Sequence, residues 1–341
     1  MDVTAIVYVT IAAALLFDVI NGFHDAANSI ATIVSTRVLS PRQAVLWAAS
    51  FNFIALFIFH TGVAKTIAGV IHVEASDPAF TYVVMSGLIG AIVWNLTTWI
   101  LGLPSSSSHA LIGGLAGAGI AHKGFAVLDT AKLYPTLGFI LIAPLIGLAL
   151  GMLVMIIVFW LFRRMRPRKI DRTFRGLQLV SAGLYSVGHG GNDAQKTIGV
   201  IIMVLVAAKV LHLDPKGNLV EDIPWWIIAC SYGAMAFGTA IGGWRIVKTM
   251  GMGLTHLKPV GGFCAEVAGA ITLFGATALK IPVSTTHTIT GAIIGVGSVT
   301  NARGIRWALA TRIVWAWVLT IPLAGLVGAG VTVLVHALGA W

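Results

Sequence analysis

Apolar residues fill this chain in ten long blocks, near 4–36, 43–60, 80–102, 104–121, 134–162, 176–212, 224–247, 258–279, 281–299 and 306–338, separated by short breaks rich in polar residues, Gly or Pro. Roughly 20 apolar residues cross a bilayer core about 30 Å thick, so the pattern predicts an all-α polytopic membrane protein of about ten spans. The first block begins directly after Met1 and Asp2, with no basic stretch and no small-residue cleavage site, and reads as a retained helix rather than a signal peptide.

Composition sharpens this picture. Of 341 residues, 57% are hydrophobic and only 10% charged, against about 25% charged in soluble domains, which excludes a soluble globular protein. The net charge of +10 does not indicate a nucleic-acid partner, because such readers gather Lys and Arg on one face of a soluble domain. Cys230 and Cys264 lie inside apolar blocks. Neither a disulfide framework nor a thiolate metal site follows, and no spacing resembles a zinc site, so no metal is expected.

The excess of positive charge reports topology. Residues 163–175 carry Arg163, Arg164, Arg166, Arg168, Lys169, Arg172 and Arg175 against one acid, Asp171, which marks a basic cytoplasmic linker. If every block crosses, Arg37, Arg42, Arg245, Lys248, Lys258, Arg303 and Arg306 share the cytoplasmic side. Asp2, Glu74, Asp77, Asp129, Asp214, Glu221 and Asp222 then fall outside with both termini. Were the Ser-rich blocks re-entrant, Arg37, Arg42, Arg303 and Arg306 would move outside and the bias would largely vanish. Five crossings are therefore expected in each of two halves, 1–162 and 176–341.

The halves repeat. NGFHDAANSIAT (21–32) aligns with HGGNDAQKTIGV (189–200), pairing Gly22 with Gly190, Asp25 with Asp193, Ser29 with Thr197 and Ile30 with Ile198. GLPSSSSHALIGGLAGAG (102–119) aligns with KIPVSTTHTITGAIIGVG (280–297), pairing Pro104 with Pro282, Ser106 with Ser284 and His109 with His287. An odd number of crossings per repeat requires the second to insert upside down, the inverted-repeat plan of secondary transporters, with broken helices or helical hairpins at the motifs.

Ionisable residues at membrane depth are functional by default. Within the apolar blocks the acids are Asp18, Asp25, Asp193 and Glu266, and the matched Asp25 and Asp193 are the sharpest candidates. Their Gly- and Asn-rich context is expected to unwind the helix and free backbone groups for an ion. Capping of the following half-helices is the structural alternative. The segments Ser105-Ser106-Ser107-Ser108 and Ser284-Thr285-Thr286 follow a proline and precede Gly-rich helices, which aims helix N-termini at an anion. A single Ser would be read as packing; the duplicated pattern is not. His109 and His287 close the motifs, and they either orient the hydroxyls or take a proton. His24 and His189 do not match one another. Glu266 either couples to a proton or ties two helices together.

Asn28 and Lys196 occupy equivalent places, three residues after each aspartate. An Asn carbonyl can ligate Na⁺, whereas a Lys ammonium can stand in for a bound cation or bind phosphate as a point charge.

These four segments, NGFHDAAN, GHGGNDAQK, GLPSSSSHA and KIPVSTTHT, resemble the inorganic phosphate transporter (PiT) family of secondary carriers over nearly the whole chain. The resemblance implies a phosphate carrier of two inverted repeats in a bacterial inner (plasma) membrane, with no cofactor. Carried over by motif, it singles out Asp25, Asn28, Ser106, Ser107, Ser108, Asn192, Asp193, Ser284, Thr285 and Thr286, to which the residue reading adds Lys196. Coupling-ion candidates are Asp25, Asp193, Asn28, Glu266 and His24. His24 stands where sodium-coupled relatives usually have Asn, and Gln195-Lys196 replaces the second Asn region. The pattern is closer to bacterial proton-coupled members, thought to carry phosphate with a divalent metal, so H⁺ symport is expected and Na⁺ symport is the alternative.

Moving one charge through 100 mV is worth about 2.3 kcal/mol, so a dianion entering a negative cell needs co-transported cations. A carrier of sulfate or another tetrahedral oxyanion is an alternative, but protonated phosphate can donate to Asp25 or Asp193 and sulfate cannot. An anion channel would not concentrate its cargo. An intramembrane Ser-His-Asp hydrolase is disfavoured because a triad is asymmetric and these elements appear twice. The Gly- and Trp-rich final block, with Trp307 and Trp341, fits either a homodimer surface or a lipid-facing helix.

Overall fold

The computed structural model describes residues 3–71, 77, 79–212 and 219–339. The expected outer acids Asp2, Glu74 and Asp214, and the aromatic anchor Trp341, lie outside the described residues.

The helices fall into two successive sets. The first is α1 (Val3–Ser35), α2 (Pro41–Ile54), α3 (Gly62–Ala68), α4 (Phe80–Leu101), α5 (Ser107–Lys123) and α6 (Thr130–Phe162). The second is α7 (Pro167–Ala207), α8 (Trp225–Ile241), α9 (Trp244–Gly253), α10 (Pro259–Ala278), α11 (Thr285–Asn301) and α12 (Trp307–Ala337). The order is the same in each: a long helix, a bent pair, a hairpin with a 17-residue second arm, and a long last helix.

Among the described residues, five helices, α1, α4, α6, α10 and α12, are long and apolar enough to cross a membrane, or seven spans if each bent pair counts as one. The sequence blocks and these spans differ in three places. Blocks 43–60 and 224–247 are not straight, turning by 87° at α2–α3 and 71° at α8–α9. Blocks 104–121 and 281–299 start extended: Ser106 and Ser284 hold β-region backbone as N-caps, so α5 and α11 begin only at Ser107 and Thr285. The basic linker is mostly helix: Pro167 opens α7, whose 41 residues include Arg168, Lys169, Arg172 and Arg175. Arg and Lys are good helix formers, so a charge run that marks a membrane face says nothing against helix.

A further correction concerns the aspartate motifs. They were expected to unwind their helices, yet α1 and α7 run unbroken through them, so Asp25 and Asp193 cap nothing. The glycines serve close packing instead. A Cβ at Gly190 would lie 2.6 Å from Asn52 O in α2, and one at Gly22 would lie 2.9 Å from Thr239 N in α8. Packing against a neighbouring backbone overrides the weak helix propensity of Gly.

Contacts sort the segment ends into two sets. Asp77, before α4, meets His122 at 2.8 Å and Lys123 at 2.9 Å at the end of α5, and Thr66 of α3 donates to Lys280 O at 2.8 Å. At the other set of ends, Arg245 donates to Ile100 O at 2.6 Å and Arg175 to Arg37 O at 2.5 Å. The halves also exchange arms, with α5 packing on α12 and α11 on α6. Gly291 and Gly295 of α11 let that helix approach the backbone of α6 at Pro144 and Leu148. The most apolar stretches of α6 and α12 are only 22% buried, against 67% in α10. The former present apolar side chains such as Leu141, Leu145, Leu319 and Leu326 outward, and the polar interior lies among α1, α7, α4, α10 and the starts of α5 and α11.

Candidate functional site

Equivalent turns deliver the two hydroxyl segments to the interior. Gly102 and Lys280 share a left-handed backbone, φ +65° and +61°, which reverses the chain after α4 and α10. Ser106 and Ser284 then act as N-caps: Ser106 Oγ accepts from His109 N at 3.3 Å and Ser284 Oγ from His287 N at 3.2 Å. The two helix starts meet, with Ser108 Oγ donating to Val283 O at 3.2 Å. The His109 and His287 rings pack edge to face with centroids 4.4 Å apart, and His287 stacks on Trp317. All seven hydroxyl residues from Ser105 to Ser108 and Ser284 to Thr286 are buried, and Ser107 Oγ has no hydrogen-bond partner. Helix N-termini of this kind offer free N–H groups and a favourable dipole to an anion.

Facing them is a polar seam between α1 and α7. On α1, Asp18, Asn21, Asp25, Asn28 and Thr32 recur at helical spacing and are all buried. Asn28 Nδ2 donates to Thr285 Oγ1 at 3.1 Å and to Thr286 Oγ1 at 2.9 Å. On α7, Lys196 Nζ donates to Ser108 Oγ, to Asp193 Oδ1 and, at 3.0 Å, to Val283 O. Thr285 Oγ1 donates to Asp193 Oδ2 at 3.3 Å, and Tyr185 holds the same segment through Thr285 O at 3.2 Å. The candidates Asp25, Asn28, Asp193 and Lys196 thus border the paired hydroxyl segments.

His24 and Asn192 take equivalent supporting positions. His24 Nδ1 lies 2.7 Å from Asp25 Oδ1, and its Nε2 lies 3.0 Å from Thr98 Oγ1 and 3.4 Å from Ser105 Oγ. Asn192 donates to Thr277 Oγ1 at 3.1 Å and Ile281 O at 3.3 Å and accepts from Val283 N at 3.2 Å. Each side chain pins the turn of one hairpin. Glu266 lies further along the seam, at Thr32, two turns beyond Asp25. It accepts from Thr32 at 2.6 Å, from Gln178 at 2.9 Å and from Ser181, joining α1, α7 and α10.

His189, which the sequence shows only as unmatched to His24 and to which it assigns no role, enters the site here. Its Nδ1 lies 3.1 Å from Ser29 Oγ and its Nε2 lies 3.3 Å from Asp193 Oδ2, near enough for attraction though not aligned for a hydrogen bond. Asp25, His189 and Asp193 offer ligand atoms within 4.8 Å of one another, a set that could hold a metal ion. The available signal was spacing: His189 and Asp193 stand i, i+4 on one helix face. Thr98, Tyr185, Gln178 and Ser181 were invisible because their role depends on which helices touch.

Two carboxylates and one ammonium give the centre a formal charge of −1, walled by hydroxyls and two helix starts. Such a site takes an oxyanion only with accompanying cations, since a buried charge needs a partner. The fold and the site define a multi-helix membrane protein with a central polar site to which both of its halves contribute side chains.

Comparison with known proteins places it further. A model of the phosphate transporter family matches residues 21–328, and the chain belongs to that family. It is 55% identical over 322 residues to a "Probable low-affinity inorganic phosphate transporter" of Rhizobium meliloti (strain 1021), covering 94% of this chain and 93% of that one. It is 43% identical over 330 residues to a protein of the same name in Bacillus subtilis (strain 168), covering 96% and 97%. A solved structure titled "The sodium-dependent phosphate transporter" matches with a TM-score of 0.88 over 98% of this chain and 99% of that one at 22% identity, which establishes the shared fold. The protein is a multi-pass membrane transporter and not an enzyme.

Proposed function

We propose that this phosphate transporter accumulates inorganic phosphate by proton-driven symport, in a bacterial inner membrane, with the anion bound between Ser106, Ser107 and Ser108 and Ser284, Thr285 and Thr286. The observation that carries the reading is the meeting of the two hydroxyl segments beside Asp25, Asn28, Asp193 and Lys196. Ser107 Oγ and Asn28 Oδ1 are buried without partners, and a phosphate would supply them. Protonated phosphate donates to a carboxylate of the site, an option closed to sulfate.

Lys196 fills the place a cation would take beside Asp193, which favours H⁺ over Na⁺ as the driving ion. A divalent metal travelling with phosphate as cargo would be held by Asp25, His189 and Asp193, the cluster that gathers both ionic and imidazole ligands. The two halves insert with opposite orientation, the basic start of α7 cytoplasmic and both termini outside, and lipid covers the exposed apolar faces of α6 and α12. In the cycle, cations and phosphate load from outside, one group of helices rocks against the other, and the site opens inward.

The test is radiolabelled phosphate uptake into proteoliposomes with H⁺ and Na⁺ gradients imposed separately and excess sulfate as competitor. Accumulation driven by the H⁺ gradient and indifferent to sulfate is expected. Accumulation driven by Na⁺ alone would overturn the coupling assignment, and loss of phosphate uptake to sulfate would overturn the cargo.

A further inference from the structure

Among the described residues, four acids lie on or beside the α1–α7 seam, and three have well-formed partners. Asp25 is paired with His24, Asp193 with Lys196, and Glu266 with Thr32, Gln178 and Ser181. Asp18 is different. It stands midway along α1, wholly buried, and its carboxylate oxygens make no well-aligned hydrogen bond, the polar side chains beside it being the neutral Asn21 and Thr197. Around it, Asn21 on the same helix, Thr197 on α7 and Tyr232 on α8 are likewise buried with unpartnered polar atoms. A second polar cluster therefore lies along the seam from the phosphate site, on the side opposite Glu266.

We propose that Asp18 is the residue that carries the coupling proton, in a site formed with Asn21 and Thr197 and distinct from the phosphate site; this rests on the symport reading above. A lone carboxylate at membrane depth must be neutralised, and the cation nearest in kind, Lys196, is committed to Asp193, Ser108 and Val283 O. One carboxylate among neutral amide and hydroxyl groups matches a single proton; a divalent ion would call for further anionic ligands. The titratable groups that act on Asp18 are Asp193 and Lys196 from α7 and Tyr232 from α8; α4, which also packs on α1, carries one titratable side chain, Tyr82, near its start.

Loading forms an O–H bond on an Asp18 oxygen with a proton from the outer aqueous phase, and release breaks it with the proton leaving to the inner phase. Asp18 and Asp193 compete for the same ammonium. With Asp18 protonated, Lys196 stays on Asp193 and Ser108, bracing the phosphate site; with Asp18 ionised, the ammonium is drawn toward it and that brace weakens. The proton thereby acts through a difference in contacts between two states, as coupling requires.

The experiment compares wild type, Asp18→Asn and Asp18→Glu in proteoliposomes, reading phosphate exchange at equal pH, accumulation under a pH gradient, and the infrared C=O band of protonated carboxyls. A gradient of one pH unit offers each coupled proton about tenfold accumulation. Asp18→Asn is expected to exchange phosphate at the wild-type rate, to lose that tenfold, and to lack one carboxyl band. Asp18→Glu, which keeps the carboxyl, is expected to retain accumulation with a displaced pH profile, so a poorly folding Asn variant does not end the test. Accumulation by Asp18→Asn equal to wild type, or a band that responds to Na⁺ at constant pH, would overturn the assignment. Failure of wild type itself to respond to the pH gradient would instead strike the symport reading.

Discussion

Asn28 and Lys196 hold equivalent places in α1 and α7, and each reaches across to the last hydroxyl of the other half's motif: Asn28 to Thr286 at 2.9 Å, Lys196 to Ser108. The contact pattern is reciprocal while the chemistry is not, since one side chain is a neutral amide and the other an ammonium paired with Asp193. That difference fixes the balance of charge at the site.

Replacing Lys196 by Asn would equalise the two halves. It also leaves Asp193 without its cation, and breaking a buried pair costs about 3 to 5 kcal/mol unless another cation enters. Lys196→Asn should therefore transport poorly without sodium and gain activity as Na⁺ is added, measured as phosphate uptake against Na⁺ concentration at fixed pH. A variant that is equally inactive at every Na⁺ concentration would count against the cation-substitute role.

The hydroxyls of Ser107 and Thr285 sit at matched positions and should matter about equally. A hydrogen bond to a charged group is worth about 1.5 to 3 kcal/mol, so each alanine variant should weaken phosphate binding by roughly 10- to 100-fold. Titration of purified Ser107→Ala and Thr285→Ala with phosphate reads this directly. Loss at one position with none at the other would contradict a shared site.

Lys280 adopts the left-handed conformation that its counterpart Gly102 adopts freely. A non-glycine residue there bears about 1 to 2 kcal/mol, part of which glycine returns through its freer unfolded chain. Lys280→Gly should gain about 0.5 to 1 kcal/mol, visible as a higher unfolding midpoint by intrinsic tryptophan fluorescence. A lower midpoint would mean that Lys280 packing on Gly62 outweighs the backbone strain.

Asp77 ties the start of α4 to the end of α5. Burial alone would raise its carboxyl, but hydrogen bonds from His122, Lys123 and the Ala79 amide outweigh it and hold it at about 2, below the ordinary 3.8. A lowered carboxyl contributes stability that is fully present above its unfolded value and is lost as pH falls through the folded one. Asp77→Asn should thus unfold more easily than wild type near neutral pH, and the gap should close between pH 3.8 and about 2. A gap independent of pH across that window would argue against this origin.

The sequence made the two aspartates and both hydroxyl motifs legible because they are polar, duplicated and set in apolar surroundings. It misled at the aspartate motifs, where glycine suggested a broken helix. Gly190 and Gly22 instead admit the backbones of α2 and α8, a reason set by neighbours more than 100 residues away in sequence. His189 escaped for a related reason: repeat matching finds only what is present twice, and its value lies in facing Asp25 across the seam. Ser106 and Ser284 carry a cap as well as an expected ligand role, which local sequence hints at and only the helix starts at Ser107 and Thr285 establish.

The proposed transport cycle rests on a single phosphate site shared by both halves. Its most direct test is a density map of the protein in lipid nanodiscs at saturating phosphate, compared with one at none. The expected result is tetrahedral density between Ser107 and Ser108 on one side and Thr285 and Thr286 on the other, beside Asp25 and Asp193. Phosphate density elsewhere in an actively transporting preparation, with this site unchanged between the two maps, would contradict it.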